Sequence, residues 1–371
     1  MTAHTSTPEN DSSAVSQDEA NTPSASAPSM TPGVAIGRGI EKLVRALRRF
    51  EKKLTGRFYA QYGMACTRII LGISGVGLLL SNFSARHYLY GTASAWNGEL
   101  ADRVSDFPHI WLFSLGDITS HNPALFTLYY LLVILIGIAV ILGWRTRITF
   151  PLFFCGYISI IELNDALGDQ SDNAFRIVML FMLFASPHLK WSLDARRWRK
   201  KGKVRPCDEA AVGFWLPRLL HNLAIVIIAF QVCAIYMSGG FYKAGGVPWQ
   251  NGWAIYDPLQ TEQFGTWPVL SDLVTAWGPG VTIITWGTLI LQIGFPFMLF
   301  NRYLRVIALF GILSFHIGIG ILMGLPFFSL TMIAVDSIFI TDRRYEQVSR
   351  ILTQLFHGVR VGRKTQQQIS S

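Results

Sequence analysis

Charge is what this chain has least of. Of its 371 residues only 15% are Asp, Glu, Lys or Arg, while 51% are hydrophobic and 13% aromatic. Soluble domains carry about 25% charged residues. Too little polar surface to face water, combined with long apolar runs, excludes an ordinary soluble globule and indicates a membrane protein. Cysteine is also scarce. Cys66, Cys155, Cys207 and Cys233 form no C-x-x-C pair, and three of them lie in apolar runs. That leaves neither a disulfide framework nor a zinc site. EF-hand spacing is absent as well. Residues 1–35, rich in Ser, Thr, Ala, Pro and acids, lack the apolar block of a signal peptide, so they are expected to form a disordered, uncleaved cytoplasmic tail. The net charge is +9, but the bases fall in short clusters between apolar runs, which argues against a nucleic-acid partner.

The runs themselves set the fold expectation. A helix needs about 20 apolar residues to cross the hydrocarbon core. Eight stretches come near that length: 64–83, 124–143, 147–163, 173–189, 216–237, 280–300, 303–323 and 326–341. The expected fold class is therefore an all-α, polytopic helical bundle of about eight transmembrane helices. Ahead of it, residues 36–60 place apolar side chains at helical spacing among many cations, which predicts an amphipathic helix on an anionic membrane surface. The division expected is a tail at 1–35, an interfacial helix at 36–60, a membrane domain at 61–341 and a basic cytoplasmic tail at 342–371.

Orientation follows from the cations. With the N-terminus inside, the inner segments hold about 27 of the 32 Lys and Arg residues. The outer loops keep Arg86, Arg103 and Lys243, and Arg68 and Arg176 lie within spans. Both termini are thus expected in the cytoplasm of a cell whose plasma membrane holds the protein. The outer loops are acidic. The first and third are each about 40 residues long and rich in aromatics, Gly and Pro, a length that implies short elements or function of their own.

Polar side chains inside lipid are costly, so each invites a role. Arg68, a few residues into the first span, either snorkels to the interface or pairs within the bundle, and Asp336 is its nearest acid by depth. Glu162, Asp165, Asp169 and Asp172 cluster before Arg176, one turn after Asp172. The cluster reads as a solvated cap with an Asp172–Arg176 pair or as a carboxylate group for a cation or a proton. His316 stands alone in an apolar run, either bonded to a neighbouring helix or handling protons. His87 sits where the first span leaves the membrane. Lys243 follows the fifth span among Gly239, Gly240, Gly245 and Gly246, beside Tyr242, Trp249 and Trp253. A lysine there either snorkels to headgroups or acts as a general base.

Five local patterns resemble, in order, the HTTM superfamily, the membrane domain of vitamin K-dependent gamma-carboxylases and of bacterial proteins such as the sporulation-delaying protein B family. They are "RIILG", "LGWRTRITFPLFF", "KWSLDA", "YKAGGVPWQNGWAI" and "FHIGIGILMGLPFFSLTMIA", spread over about residues 60–341. In the carboxylases a lysine of the fourth pattern is implicated in deprotonating reduced vitamin K. The resemblance therefore implies a membrane-embedded enzyme using a quinone or other isoprenoid lipid, with Lys243 as base, helped by His316 or His87, and a pocket near Arg68, Tyr242, Trp249, Trp253, Asp172 and Arg176. The chain departs from the carboxylases in having one lysine where they have two, and no histidine at the start of the fourth span. The sporulation-delaying likeness implies a different role, as a membrane partner in maturation, export or immunity for a small secreted peptide or another membrane protein. A transporter would carry inverted repeats with broken helices, and none is visible.

Overall fold

The computed structural model describes residues 32–91, 93, 105–164, 167–201, 215–351 and 354. Most of the N-terminal tail, Glu99, Asp102, Arg103, Asp165, Cys207 and the end of the basic tail lie outside those residues. Every regular element among the described residues is helical.

The chain divides between Glu51 and Lys52 into two units. The first contributes most of α1 (Pro32–Gly56). Its residues 41–51 are exposed, with Leu43, Leu47 and Phe50 at i, i+4, i+7 spacing on one side and an exposed Glu41–Arg45 pair at 3.4 Å.

The second unit is a bundle. Its long apolar helices are α2 (Gln61–Ser81), α5 (Pro123–Leu142), α9 (Trp215–Ala244), α13 (Gly278–Met298) and α14 (Arg302–Leu322), five that are long and apolar enough to cross a membrane. Helices α6 (Thr146–Ile161) and α15 (Pro326–Asp336, continued by a 3-10 turn to Phe339) are apolar but shorter. The expected fourth span becomes α7, Gln170–Met182; the "SPHL" stretch beyond it turns, because Pro187 lacks the N–H a helix needs. Eight full-length crossings are thus not what the helix lengths give. The fifth span runs longer than expected, so Lys243 belongs to the last turn of α9 rather than to a loop.

Short helices fill the connections: α3 (Arg86–Leu89) and α4 (Ser114–Ser120) before α5, α8 (Leu193–Lys200) before α9, and α10 (Val247–Gln250), α11 (Tyr256–Gln260) and α12 (Pro268–Thr275) before α13. α2 packs on α5 and α15, α5 on α6, α9 on α13, and α14 on α15 and α13. α5 turns Leu125, Leu128, Leu132 and Leu135 outward. Such a continuous apolar face would be a liability in water and is the expected surface in lipid.

One end of the bundle is a polar clasp. Arg68 on α2 is fully buried. Its Nη1 donates to the carbonyls of Val140 and Ile141 (2.8 Å to the latter), its Nη2 to that of Trp191 (2.7 Å) and its Nε to that of Pro187 (3.2 Å). These are last-turn carbonyls of α5, of which Val140 also accepts from the Gly143 N–H, and carbonyls of the turn before α8. The expected Arg68–Asp336 pair does not form: the guanidinium finds enough carbonyls beside its own helix, and Asp336 bonds elsewhere. One turn on, a Cβ added at Gly72 would stand 2.6 Å from Ile141 Cγ1, so "RIILG" couples the buried cation to a close α2–α5 approach.

Gly143 ends α5 at φ 67°, a conformation that suits glycine. Asp194 then accepts from the backbone N–H groups of Arg145 (2.9 Å) and Thr146 (2.8 Å) and from the Thr146 hydroxyl (3.0 Å), while its own N–H donates to the Gly143 carbonyl (3.1 Å). Asp194 thereby caps α6 from a distant segment. Asp194→Ala is expected to cost about 1–2 kcal/mol, the worth of a helix N-cap, read as a lowered midpoint of denaturant unfolding in detergent micelles. An unchanged midpoint would remove Asp194 from the clasp. His221 and Asn222 hold the start of α2 in the same way. His221 Nε2 donates to the Tyr59 carbonyl (2.8 Å), and Asn222 donates to those of Leu54 and Arg57 (2.6 and 2.7 Å).

Candidate functional site

The other end carries Lys243. Along α9 the buried residues Ile228, Val232, Tyr236 and Gly240 recur every four positions, one row of a helix face. Lys243 continues that face from Gly240. The helix stops just beyond it, and α10 folds back to bring the Trp249 ring 5.7 Å from Lys243 Nζ. Trp249 is itself fixed, its carbonyl accepting from Trp286 Nε1 of α13 at 3.2 Å. Among the described residues no carboxylate lies within ion-pair distance of Lys243. Tyr242, 88% exposed, turns away from this face, and Trp253 is also exposed.

Seven residues back from Lys243, about 10 Å along the helix axis, Tyr236 is fully buried. Its hydroxyl donates to Asp336 Oδ2 at 2.7 Å and lies 3.0 Å from His316 Nε2. A carboxylate only accepts, so the Tyr236 proton goes to Asp336 and His316 Nε2–H donates to the Tyr236 oxygen. The reverse arrangement, with the proton on Asp336 and Nε2 accepting, uses the same heavy atoms. Aromatic rings wall the triad. Phe295 meets Tyr236 edge-on at 4.8 Å, and Phe315 and Phe328 flank His316. Among the described residues His316 Nδ1 and Asp336 Oδ1 are buried without hydrogen-bond partners, as are Gln292 Oε1 and Thr285 Oγ1 on α13. Buried polar atoms without partners are rare and call for a role. The triad joins α9, α14 and α15 through Tyr236, His316 and Asp336, and Lys243 stands about two turns further along the same face of α9.

The structure therefore brings Lys243 and Trp249 together at the end of α9, sets His316 on Tyr236 about two turns further in, and leaves the other sequence candidates elsewhere. His87 lies on α3 with Nε2 3.1 Å from Thr127 Oγ1; burial, and then the adjacent Arg86 charge, push its imidazole down from its ordinary value. Arg68 is in the clasp at the far end. Arg176 pairs with Glu162 rather than with Asp172, and it also donates to Asn173 Oδ1 at 3.3 Å. The Asp172 carboxylate instead accepts from the Asp169 N–H (3.0 Å) in the capping box of α7, which draws it away from its i+4 neighbour. Tyr236 and Gln292 went unmarked in the sequence. The available signals were the i, i+7 spacing of Tyr236 and Lys243 and the Gln292–Pro296 spacing, which removes the N–H that would otherwise bond the Gln292 carbonyl.

Long apolar helices, lipid-type outer faces and a polar centre held between helices define a polytopic α-helical membrane protein. The chain belongs to the HTTM domain family, whose model matches residues 64–343. It is 26% identical over 251 residues to a Bacillus subtilis (strain 168) protein named "Uncharacterized protein YitO", covering 65% of this chain and 76% of that one. No solved structure matches it.

Proposed function

We propose that the protein is a plasma-membrane enzyme, both termini in the cytoplasm, in which Lys243 moves a proton during chemistry on a lipophilic quinone-type cofactor at the outer side. The observation that carries this reading is the hydrogen-bonded row His316–Tyr236–Asp336 beneath a lysine that has no carboxylate partner among the described residues. In this topology α1 lies on the inner leaflet.

The acceptors present suit a ring bearing hydroxyl groups. Gln292 Oε1 and Thr285 Oγ1 are buried acceptors without partners on the helix packed against α9, Trp249 offers a flat face beside Lys243, and Phe295 and Phe328 keep the surroundings dry. A quinol, when bound, would supply acidic hydroxyl protons and two electrons, with molecular oxygen as the electron acceptor. The chain's own residues do the rest. Lys243 Nζ takes up or returns a proton at the mouth. His316 and Asp336 exchange one across the Tyr236 hydroxyl, so charge is relayed without a mobile water in the apolar centre.

The test is oxygen uptake by full-length protein in liposomes supplied with a naphthohydroquinone. Wild type is expected to exceed protein-free liposomes, and Lys243→Ala is expected to fall to their level while melting as wild type does. A Lys243→Ala protein as fast as wild type, or a wild type no faster than empty liposomes, would overturn the reading.

A further inference from the structure

A second feature lies on the opposite side of α15 from the Lys243 centre. A cavity of about 250 Å³ opens between the C-terminal ends of α2 and α6 and the N-terminal ends of α7 and α15. Asp169 and Asp172 line it together with Tyr90, Tyr157 and Phe327, and Leu78 and Ile161 are among its apolar wall. Among the described residues no Lys, Arg or His lines it, so the charged groups of its described lining are the two carboxylates. Arg176, the nearest cation in sequence, is engaged by Glu162.

The independent sign of a ligand is Tyr157. It is 2% exposed, lines the cavity, and makes no hydrogen bond to any described residue, although a buried phenol normally finds a partner. Asp172, Tyr157 and Tyr90 all line this one cavity. A bare metal ion does not suit: among the described residues no three His, Cys, Asp or Glu side chains could hold one, and the space is several times an ion's volume. What suits is a cation with N–H donors and a short carbon stem. Its donors would meet Asp172 and Tyr157, its charge the aromatic faces, and its stem Leu78, Ile161 and Phe327.

We propose that this cavity binds a primary alkylammonium group, either a free small amine or the headgroup of an amine-bearing lipid, seated on Asp172 and Tyr157. The probe is ethanolamine hydrochloride, titrated calorimetrically into full-length protein in nanodiscs of phosphatidylglycerol, with potassium chloride and calcium chloride as cation controls. Saturable binding of ethanolamine alone is expected, at least about tenfold weaker in Asp172→Asn, which keeps an acceptor for the α7 cap but loses the charge, and several-fold weaker in Tyr157→Phe. Asp257→Asn, on exposed α11, should bind as wild type does. Repeating the titration in phosphatidylethanolamine nanodiscs separates the sources: a lost or weakened signal assigns the site to the lipid headgroup, an unchanged one to a free amine. No saturable binding to wild type, equal binding of potassium or calcium, or undiminished affinity in folded Tyr157→Phe and Asp172→Asn would overturn the proposal. If Asp172→Asn fails to fold, the wild-type and Tyr157→Phe titrations still decide it.

Discussion

Arg68→Met is expected to cost about 3–5 kcal/mol of stability, since each buried carbonyl left without its donor costs about 1–3 kcal/mol. The guanidinium bonds four carbonyls on two segments distant in sequence from α2, and it is fully buried. Methionine fills much of the volume but donates nothing, so the Ile141, Pro187 and Trp191 carbonyls lose the guanidinium in a place water reaches poorly, while Val140 keeps the Gly143 N–H. The cation is not stranded in the wild type. It faces the C-terminal end of α5, where the helix dipole is negative, and Asp194 acts on it electrostatically. Arg68→Lys should recover only part of the loss, because one ammonium cannot span carbonyls that the planar guanidinium reaches from two sides. Denaturant unfolding in mild detergent reads the difference, and a methionine variant within about 1 kcal/mol of wild type would show that the clasp is held by the Asp194 and Asn222 contacts instead. Because this role is to hold helices, the same variant rescued by stabilising lipid should regain the function of the far end.

What the sequence makes legible falls off with distance along the chain. α2, α5, α13 and α14 are legible to within a few residues, since an apolar run bounded by Asn, Gly or Pro both needs the membrane and has its caps beside it: Asn122 caps α5 and Asn301 caps α14. α7 is overestimated because apolarity continues through Leu183–Ala185 after the helical geometry has ended. The end of α9 is misplaced for the opposite reason. Gly239 and Gly240 read as a loop, but in a packed helix Gly240 admits α13, and a Cβ there would meet Ile293 Cγ1 at 2.6 Å. Of the five family-like patterns, three meet at one clasp through Arg68, Gly143 with Arg145, and Asp194. Nothing local announces that meeting, because the acceptors are backbone carbonyls, which every residue has. The Arg176–Glu162 and Tyr236–Asp336 pairs were hidden likewise: pairing by i, i+4 spacing or by depth considers single helices, while these bonds cross between segments.

Tyr236→Phe is expected to lower turnover about 100-fold or more with little change in KM for the quinol, the size of a lost proton-transfer step. The substitution keeps the ring against Phe295 and removes one oxygen. That oxygen is the sole atom that bonds both His316 Nε2 and Asp336 Oδ2, so its loss severs the row while leaving the helices packed. Some stability goes as well, about 1–3 kcal/mol for two buried groups deprived of a partner, which the melting curve reports separately. The two roles are thus separable. If Tyr236 only holds α9 to α14 and α15, the variant melts lower but, below its melting temperature, turns over as wild type does. If it relays a proton, the rate falls even where the protein is fully folded, and the solvent deuterium isotope effect of the wild type disappears or changes. Gln292→Ala provides the contrasting signature. A residue that accepts from the bound ring contributes to binding, so its loss should raise KM and leave turnover nearly intact. Full turnover in folded Tyr236→Phe, with Lys243→Ala inactive, would confine the chemistry to the mouth of the site and make the buried triad a structural bolt.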